Sequence, residues 1–90
     1  MTRNEFIEIK NERGFFHAID ELSGDVYEIA TADTLEQYAK EQIDRGYYGD
    51  AIDVCYALNE HDATHYRMDF CGEPTPIESI EDIEDLFEEE

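Results

Sequence analysis

The sequence predicts an α+β fold, an antiparallel sheet of about four strands with three helices packed on one face, in a single domain over residues 1–90. Three observations predict it. Short apolar runs separated by turn residues occupy the first third of the chain. Apolar residues then recur at helical spacing between positions 34 and 58, and a run that alternates apolar with polar residues follows them. The predicted order of elements is β-β-β-α-α-β-α.

Three strands are expected before residue 31. The apolar run at residues 6–9 stops at residues 11–14, Asn-Glu-Arg-Gly, which is a turn signal. Residues 15–21 form a second strand candidate. Ser-Gly-Asp at 23–25 then separates it from a third, at residues 26–30. The simplest arrangement of the three is an antiparallel meander.

Two helices follow. Residues 34–37, Thr-Leu-Glu-Gln, have the form of a capping box that begins a helix, and Gly46 is a natural stop for it. Asp50 can cap the second helix. The apolar stripes that predict the pair are Leu35, Tyr38, Ala39 and Ile43 in the first helix, and Ala51, Val54, Cys55 and Leu58 in the second.

A fourth strand is predicted over residues 64–71, where apolar and polar side chains alternate with the period of a half-buried strand. Gly72 and Pro74 end this run. His65 lies on its polar phase, so we expect this histidine to be exposed.

Pro76 and Ser79 introduce a third helix, predicted over residues 78–88. Ile80, Ile83, Leu86 and Phe87 make its apolar stripe. On an α-helix its acids would follow one another every 5 to 6 Å or so along the axis, comparable to the spacing of phosphates along a DNA strand. These predicted contact acids are Glu78, Glu81, Asp82, Asp85 and Glu88.

Charge is the property that bears most directly on function. The chain carries 25 Asp and Glu against six Lys and Arg, a formal net charge of −19. A soluble domain of this size needs a net charge of only about 2 to 8 in magnitude, and the excess opposes direct binding to nucleic acid or to an anionic membrane. The expected partner is a basic nucleic-acid-binding protein. Residues 50–90 hold 14 acids and one base, Arg67, which favours the final helix and the region from Asp50 onward as the contact surface.

No motif of a catalytic class is present in the sequence. The chain lacks a Gly-rich phosphate loop, a nucleophile motif and EF-hand spacing, so we expect a non-enzymatic protein. Cys55, His61, His65 and Cys71 are spaced Cys-x5-His-x3-His-x5-Cys, without the paired knuckle of a zinc site. We therefore expect no metal and no cofactor.

The sequence also predicts a cytoplasmic location. Residues 1–6 lack the apolar core of a signal peptide, and no stretch approaches the roughly 18 apolar residues of a membrane helix. Two cysteines are too few for a disulfide framework, so we expect both to be reduced and partly buried.

In size, charge and acidic spacing the whole chain resembles the small acidic inhibitors, among them phage anti-restriction and anti-CRISPR proteins, that mimic DNA or block its binding site. The members of this class share no fold. The resemblance implies a phage-encoded inhibitor that occupies the basic nucleic-acid channel of a defence nuclease or CRISPR effector.

A second resemblance is local. Residues 47–58, Tyr-Tyr-Gly-Asp-Ala-Ile-Asp-Val-Cys-Tyr-Ala-Leu, resemble the Tyr-Tyr-Gly-acid segment with which barstar-type ribonuclease inhibitors plug their nuclease. The resemblance implies that Tyr47, Tyr48 and Asp53 enter a basic active site. The later acid of that segment falls at Ala57 in this chain.

Three functions are therefore open. The first is the DNA-mimicking inhibitor, the second an immunity-type inhibitor of a toxin nuclease, and the third an acidic interaction module without an inhibitory role. The residues expected to contact the partner are Tyr47, Tyr48, Asp50 and Asp53, together with the acids of the final helix.

Overall fold

The computed structural model describes residues 1–23, 28–68 and 73–88. Four α-helices are present in these ranges: α1 (Arg3–Arg13), α2 (Phe15–Ser23), α3 (Ala32–Arg45) and α4 (Tyr48–Glu60). Three short strands lie between and after them: β1 (Ile29–Thr31), β2 (His65–Arg67) and β3 (Thr75–Pro76). A 3-10 helix, Ile80–Leu86, follows the last strand.

The three strands form one antiparallel sheet in the order β1-β2-β3. Ala30 of β1 lies opposite Tyr66 of β2, and Tyr66 in turn lies opposite Pro76 of β3. The strand β2 is therefore central, and its alternate side chains point to the two faces of the sheet.

Helices cover both faces of this sheet, and each face has its own hydrophobic cluster. Ile29 and Ile77 join the first cluster, which buries Phe6 of α1, Ile19 of α2 and Ile83 of the 3-10 helix. Tyr66 joins the second cluster, with residues of α3 and α4: Leu35, Ala39, Ala51 and Val54. The architecture is thus a small sheet between two helical layers, one made by α1, α2 and the 3-10 helix and the other by α3 and α4.

The predicted strands at residues 6–9 and 15–21 are wrong, because this part of the chain forms α1 and α2. The Thr2 hydroxyl accepts a hydrogen bond from the Glu5 amide (3.2 Å) and caps α1. Gly14 follows α1 with φ at 103°, so the turn signal at residues 11–14 ends a helix and not a strand. In α2 the partly buried Phe15 and the buried Ala18, Ile19 and Leu22 lie at helical spacing.

The two central helices are confirmed, with different starting residues. Thr31, not Thr34, caps α3, since its hydroxyl accepts from the Thr34 amide at 3.2 Å. Gly46 is the C-cap, in the left-handed conformation with φ at 86°. Tyr47 and not Asp50 stands at the N-cap of α4.

The predicted third and fourth strands are shorter than expected. Of residues 26–30, the described part contributes only the start of β1, and residues 69–71 of the fourth strand lie outside the described residues. The pairing with β3 was not predicted. His65 is buried, contrary to the expectation of exposure, because helices cover both faces of β2.

The last element is a 3-10 helix of seven residues and not the α-helix predicted over residues 78–88. Its apolar residues Ile80, Ile83 and Leu86 recur every three positions, which matches the three residues per turn of this helix type. The described residues thus form three strands and five helices, where four strands and three helices on one face were predicted. Within these ranges no helix combines the length and the apolar character that a membrane crossing requires.

Candidate partner-binding surface

The α3–α4 hairpin, residues 32–60, ends in a tight connection that places two tyrosines at its tip. The Gly46 amide donates to the Ile43 carbonyl (3.1 Å) and the Tyr47 amide to the Gln42 carbonyl (2.8 Å). These bonds close the last turn of α3 in the manner of a Schellman motif. Only Gly46 and Tyr47 separate the two helices, so the direction in which Tyr47 and Tyr48 leave the hairpin is fixed by the backbone.

Both tyrosines are exposed. Tyr47 is 59% exposed and Tyr48 62%. Asp50 and Asp53 are also exposed and lie in the first two turns of α4. The structure therefore brings these four predicted contact residues together on one end of the hairpin, which we call the hairpin tip: Tyr47, Tyr48, Asp50 and Asp53.

Helix α4 presents further apolar side chains to solvent, which were not among the predicted contact residues. Ile52 is 64% exposed and Tyr56 is 54% exposed, and the Cys55 side chain is exposed as well. At one residue every 100° around the helix, positions 48, 52 and 56 form one ridge. The signal was present in the sequence, because the apolar residues of α4 are too many for one face.

Position 57, where the barstar-type segment carries its later acid, is in the core. Ala57 is fully buried in α4, next to Val54 and on the side opposite the exposed ridge. A carboxylate here would face the protein interior.

The acids of the 3-10 helix are held by groups of the protein itself. The Asp82 carboxylate accepts hydrogen bonds from the amides of Glu78 (2.9 Å) and Ser79 (3.1 Å) and so caps the helix. Asp85 binds both terminal nitrogens of Arg67, at 2.6 and 2.7 Å. This guanidinium lowers the pKa of Asp85 through its hydrogen bonds.

Other acids near the 3-10 helix also contact charged or hydrogen-bonding groups of the protein. A carboxylate oxygen of Glu84 lies 2.8 Å from a terminal guanidinium nitrogen of Arg3. A carboxylate oxygen of Glu88 lies 3.8 Å from the Met1 amino group. Hydrogen bonds from the backbone at its own position and from the Ser79 hydroxyl lower the pKa of Glu81. Both Glu78 and Glu81 are exposed.

The 3-10 geometry also changes the spacing of the acids. On an α-helix this spacing was expected to be comparable to that of phosphates along a DNA strand. Side chains three residues apart eclipse one another in a 3-10 helix. Asp82 and Asp85 therefore share one edge, while Glu81 shares the other with Glu84. A single row of five carboxylates, as an α-helix would present it, is not formed.

The hairpin and the 3-10 helix lie on opposite faces of the sheet. Tyr66 faces the hairpin side, whereas its neighbour Arg67 reaches Asp82 and Asp85 on the other side. The two sets of predicted contact residues thus form two separate surfaces, and the structure does not unite them.

The histidine and cysteine pattern is also separated in space. His65 is buried, and its ring nitrogens are engaged by the Thr64 hydroxyl (3.0 Å) and the Asp20 carboxylate. Phe16 stacks on the imidazole with ring centroids 5.6 Å apart. Cys55 points to solvent, and Cys71 lies outside the described residues. Among the residues that the structure describes, no three His, Cys, Asp or Glu side chains come together as metal ligands would.

An open groove of about 270 Å³ lies between the start of α3 and the end of α4. Leu58 and Tyr66 contribute to its wall, and Asp33, Glu36 and Asp62 line it as well. These three acids are exposed. The groove therefore adds negative charge to the hairpin at the end away from Tyr47.

Comparison with protein-family models, with curated proteins and with solved structures gives no match for this chain.

Proposed function

We propose that the protein is an acidic, non-enzymatic inhibitor that occupies the basic nucleic-acid-binding site of a defence nuclease or CRISPR effector in the cytoplasm. The observation that supports this proposal most strongly is the hairpin tip, where Tyr47 and Tyr48 stand exposed beside Asp50 and Asp53. In this mechanism the carboxylates replace phosphates on the Lys and Arg side chains of the target.

Charge and aromatic contacts have separate roles in this proposal. The net charge of −19 accelerates the encounter with a basic site and opposes binding to nucleic acid itself. Exposed tyrosines beside acids are typical of the few residues that supply most of the binding free energy at an interface. Because the backbone fixes the hairpin tip, little backbone entropy is lost when Tyr47 and Tyr48 become buried.

The hairpin tip is the preferred contact surface over the acids of the 3-10 helix. Asp82, Asp85 and Glu88 would have to leave an amide, a guanidinium or an amino group of the protein before they could bind a target. Asp50 and Asp53 lie exposed on the first turns of α4, beside the tyrosines. The 3-10 helix then adds to the electrostatic field without supplying the main contacts.

A second candidate is an immunity-type inhibitor that covers the active site of a toxin ribonuclease. The exposure of Tyr47, Tyr48 and Asp53 at the hairpin tip favours it, because these are the positions that the barstar-type resemblance selects. The two candidates share a contact surface and differ in the target. An acidic interaction module without inhibitory activity would use the same surface and leave the partner's nucleic acid in place.

Displacement of labelled nucleic acid tests the proposal. Fluorescein-labelled DNA is bound to purified CRISPR effector complexes and restriction nucleases, labelled RNA to toxin ribonucleases, and the anisotropy is followed as this protein is added. We expect displacement from at least one DNA-binding target and no change for the free DNA. A poly-glutamate chain of similar net charge controls for charge alone.

Three results are distinguishable in this assay. Displacement of DNA supports the first candidate, and displacement of RNA from a ribonuclease alone supports the second. Retention of nucleic acid by every target, or equal displacement by poly-glutamate, would contradict the proposed inhibition.

A further inference from the structure

Helix α4 is apolar on its outer as well as its inner side. Ala51, Val54 and Ala57 are buried against the rest of the hairpin layer, which accounts for one side of the helix. Tyr48, Ile52 and Tyr56 lie on the other side, each more than half exposed. We call these three residues the α4 stripe. Single exposed apolar residues are normal on a protein surface, whereas several that form one exposed patch mark an interaction site.

The spacing of the α4 stripe suits another helix. Its members are four residues apart and form a ridge about 12 Å long, at about 1.5 Å per residue. Ridges of this kind pack into the grooves between the side chains of a second helix, which is the commonest class of helix packing. An amphipathic helix that binds in this way contacts its partner through apolar side chains at intervals of three, four and seven residues.

Acidic side chains border the α4 stripe. Asp53 and Glu60 are seven residues apart, so they lie on one side of the ridge, two turns from each other. Asp44 and the half-exposed Ile43 occupy the last turn of α3, at the end of the hairpin from which the ridge starts. The surface is therefore an apolar centre with carboxylates at its border.

We infer that the α4 stripe binds one amphipathic helix of a basic target protein, whose apolar face covers Tyr48, Ile52 and Tyr56 and whose flanking Lys and Arg side chains pair with Asp53 and Glu60. The basic nature of the target rests on the proposed function. A second copy of this chain is a poor occupant, because each copy carries a charge of −19 and would bring its own Asp53 and Glu60 to the contact. The same charge opposes an anionic membrane surface.

Designed peptides test this inference even while the target itself is unidentified. The probe is a helical peptide of about 18 residues with Leu on one face and Lys along both edges, about five turns long. The control peptide has the same composition in a scrambled order, so that its charge is equal and its Leu side chains do not form a face. Dissociation constants are measured by fluorescence anisotropy at about 0.15 M salt, where long-range attraction is screened.

The wild-type protein is compared with the double variant Ile52→Ser/Tyr56→Ser. The control is Ile7→Ser on α1, which removes a partly exposed apolar side chain from the opposite layer. Circular dichroism checks that each variant retains its helices. We expect the wild type to bind the patterned peptide at least about tenfold more tightly than the scrambled one. The double variant should lose this preference, and the Ile7 variant should keep it.

Equal binding of the two peptides by the wild type would overturn the inference, and so would an unchanged preference in the double variant. Sedimentation of the wild type as a dimer that Ile52→Ser converts to a monomer would also overturn it, because the occupant would then be a second copy. These outcomes are independent of the displacement assay. Preferential binding of the patterned peptide without inhibition contradicts only the proposed function. Inhibition without a preference for the patterned peptide over the scrambled one contradicts only this inference.

Discussion

The guanidinium of Arg67 donates two hydrogen bonds to the carboxylate of Asp85, at 2.6 and 2.7 Å, and connects the central strand β2 to the 3-10 helix. One of the same nitrogens also donates to the Asp82 carbonyl at 3.1 Å. Arg67 is the only Lys or Arg in residues 50–90. The single base of the acidic half is therefore used to hold the 3-10 helix on the sheet, and Asp85 has a structural role.

Replacement of Asp85 by Asn should lower the melting temperature by an amount that depends on pH. Arg67 lowers the pKa of Asp85 below its ordinary value of 3.8. A depressed folded-state pKa stabilises the protein above the unfolded value, and this contribution is lost as the pH falls through the folded value. An exposed pair contributes up to about 1 kcal/mol, which corresponds to about 4 to 8 °C in a small domain.

Calorimetry checks this prediction over a pH series. The difference in melting temperature between wild type and Asp85→Asn should be constant from about pH 7 to about pH 5. It should disappear as the pH falls below about 3.8. Glu41→Gln, on an exposed position of α3, controls for the loss of one negative charge. A difference that persists unchanged at the acid end would mean that the ion pair does not stabilise the fold.

His65 should be essential to the attachment of α2 to the sheet. Its imidazole is buried between the Phe16 ring and the Asp20 carboxylate. His65→Ala would leave a cavity and remove two hydrogen bonds, at a cost of about 2 kcal/mol or more. Urea unfolding measures the loss, with His17→Ala on the outer side of α2 as the control. Equal midpoints for the two variants would contradict the structural role.

Two glycines of the hairpin should respond to alanine with opposite signs. Gly46 has φ at 86°, so Gly46→Ala strains the C-cap of α3 and should cost about 1 kcal/mol. Gly49 is in the first turn of α4 with open space around it, and Gly49→Ala should stabilise the protein by up to about 1 kcal/mol. Thermal unfolding of both variants decides, and a stabilising Gly46→Ala would be inconsistent with the left-handed cap.

Association with the target should slow as salt rises. Once a target has been identified by displacement, stopped-flow measurements at about 50 and about 300 mM NaCl give the on-rate at two screening lengths. We expect a lower on-rate at the higher salt and a smaller change in the off-rate, because long-range charge acts on the encounter. An on-rate indifferent to salt would remove electrostatic steering from the mechanism.

The hairpin was predictable because its local signals agree with its packing. Gly46 ends α3 as expected, and Leu35, Ala39, Ala51 and Val54 are buried where the helical stripes placed them. Ile43 and Cys55, which belong to the same predicted stripes, are exposed instead. In α1 and α2 the short apolar runs predict strands, and the structure has helices there. The spacing of Phe15, Ala18, Ile19 and Leu22 was nevertheless helical, and Thr2 with Glu5 gave a capping signal before α1.

The remaining differences depend on tertiary contacts that no local pattern reveals. His65 is on the polar phase of its strand and is buried only because α2 covers that face of the sheet. The last element is a 3-10 helix whose acids are engaged by Arg67, Ser79 and the Met1 amino group. The acidic row predicted there could not be distinguished from structural carboxylates by sequence alone.

Inhibition by two matched sets of variants tests the central claim most directly. One set alters the hairpin tip (Tyr47→Ala, Tyr48→Ala, Asp53→Ala), and the other alters exposed acids at the 3-10 helix (Glu78→Gln, Glu81→Gln), with circular dichroism as the check on folding. We predict that each tip variant weakens binding by about 2 kcal/mol or more, roughly a 30-fold loss in the displacement assay. The acid variants should change it by less than about threefold, as for rim charges. Full inhibition by the tip variants together with a strong loss in the acid variants would contradict the claim that the hairpin tip contacts the target.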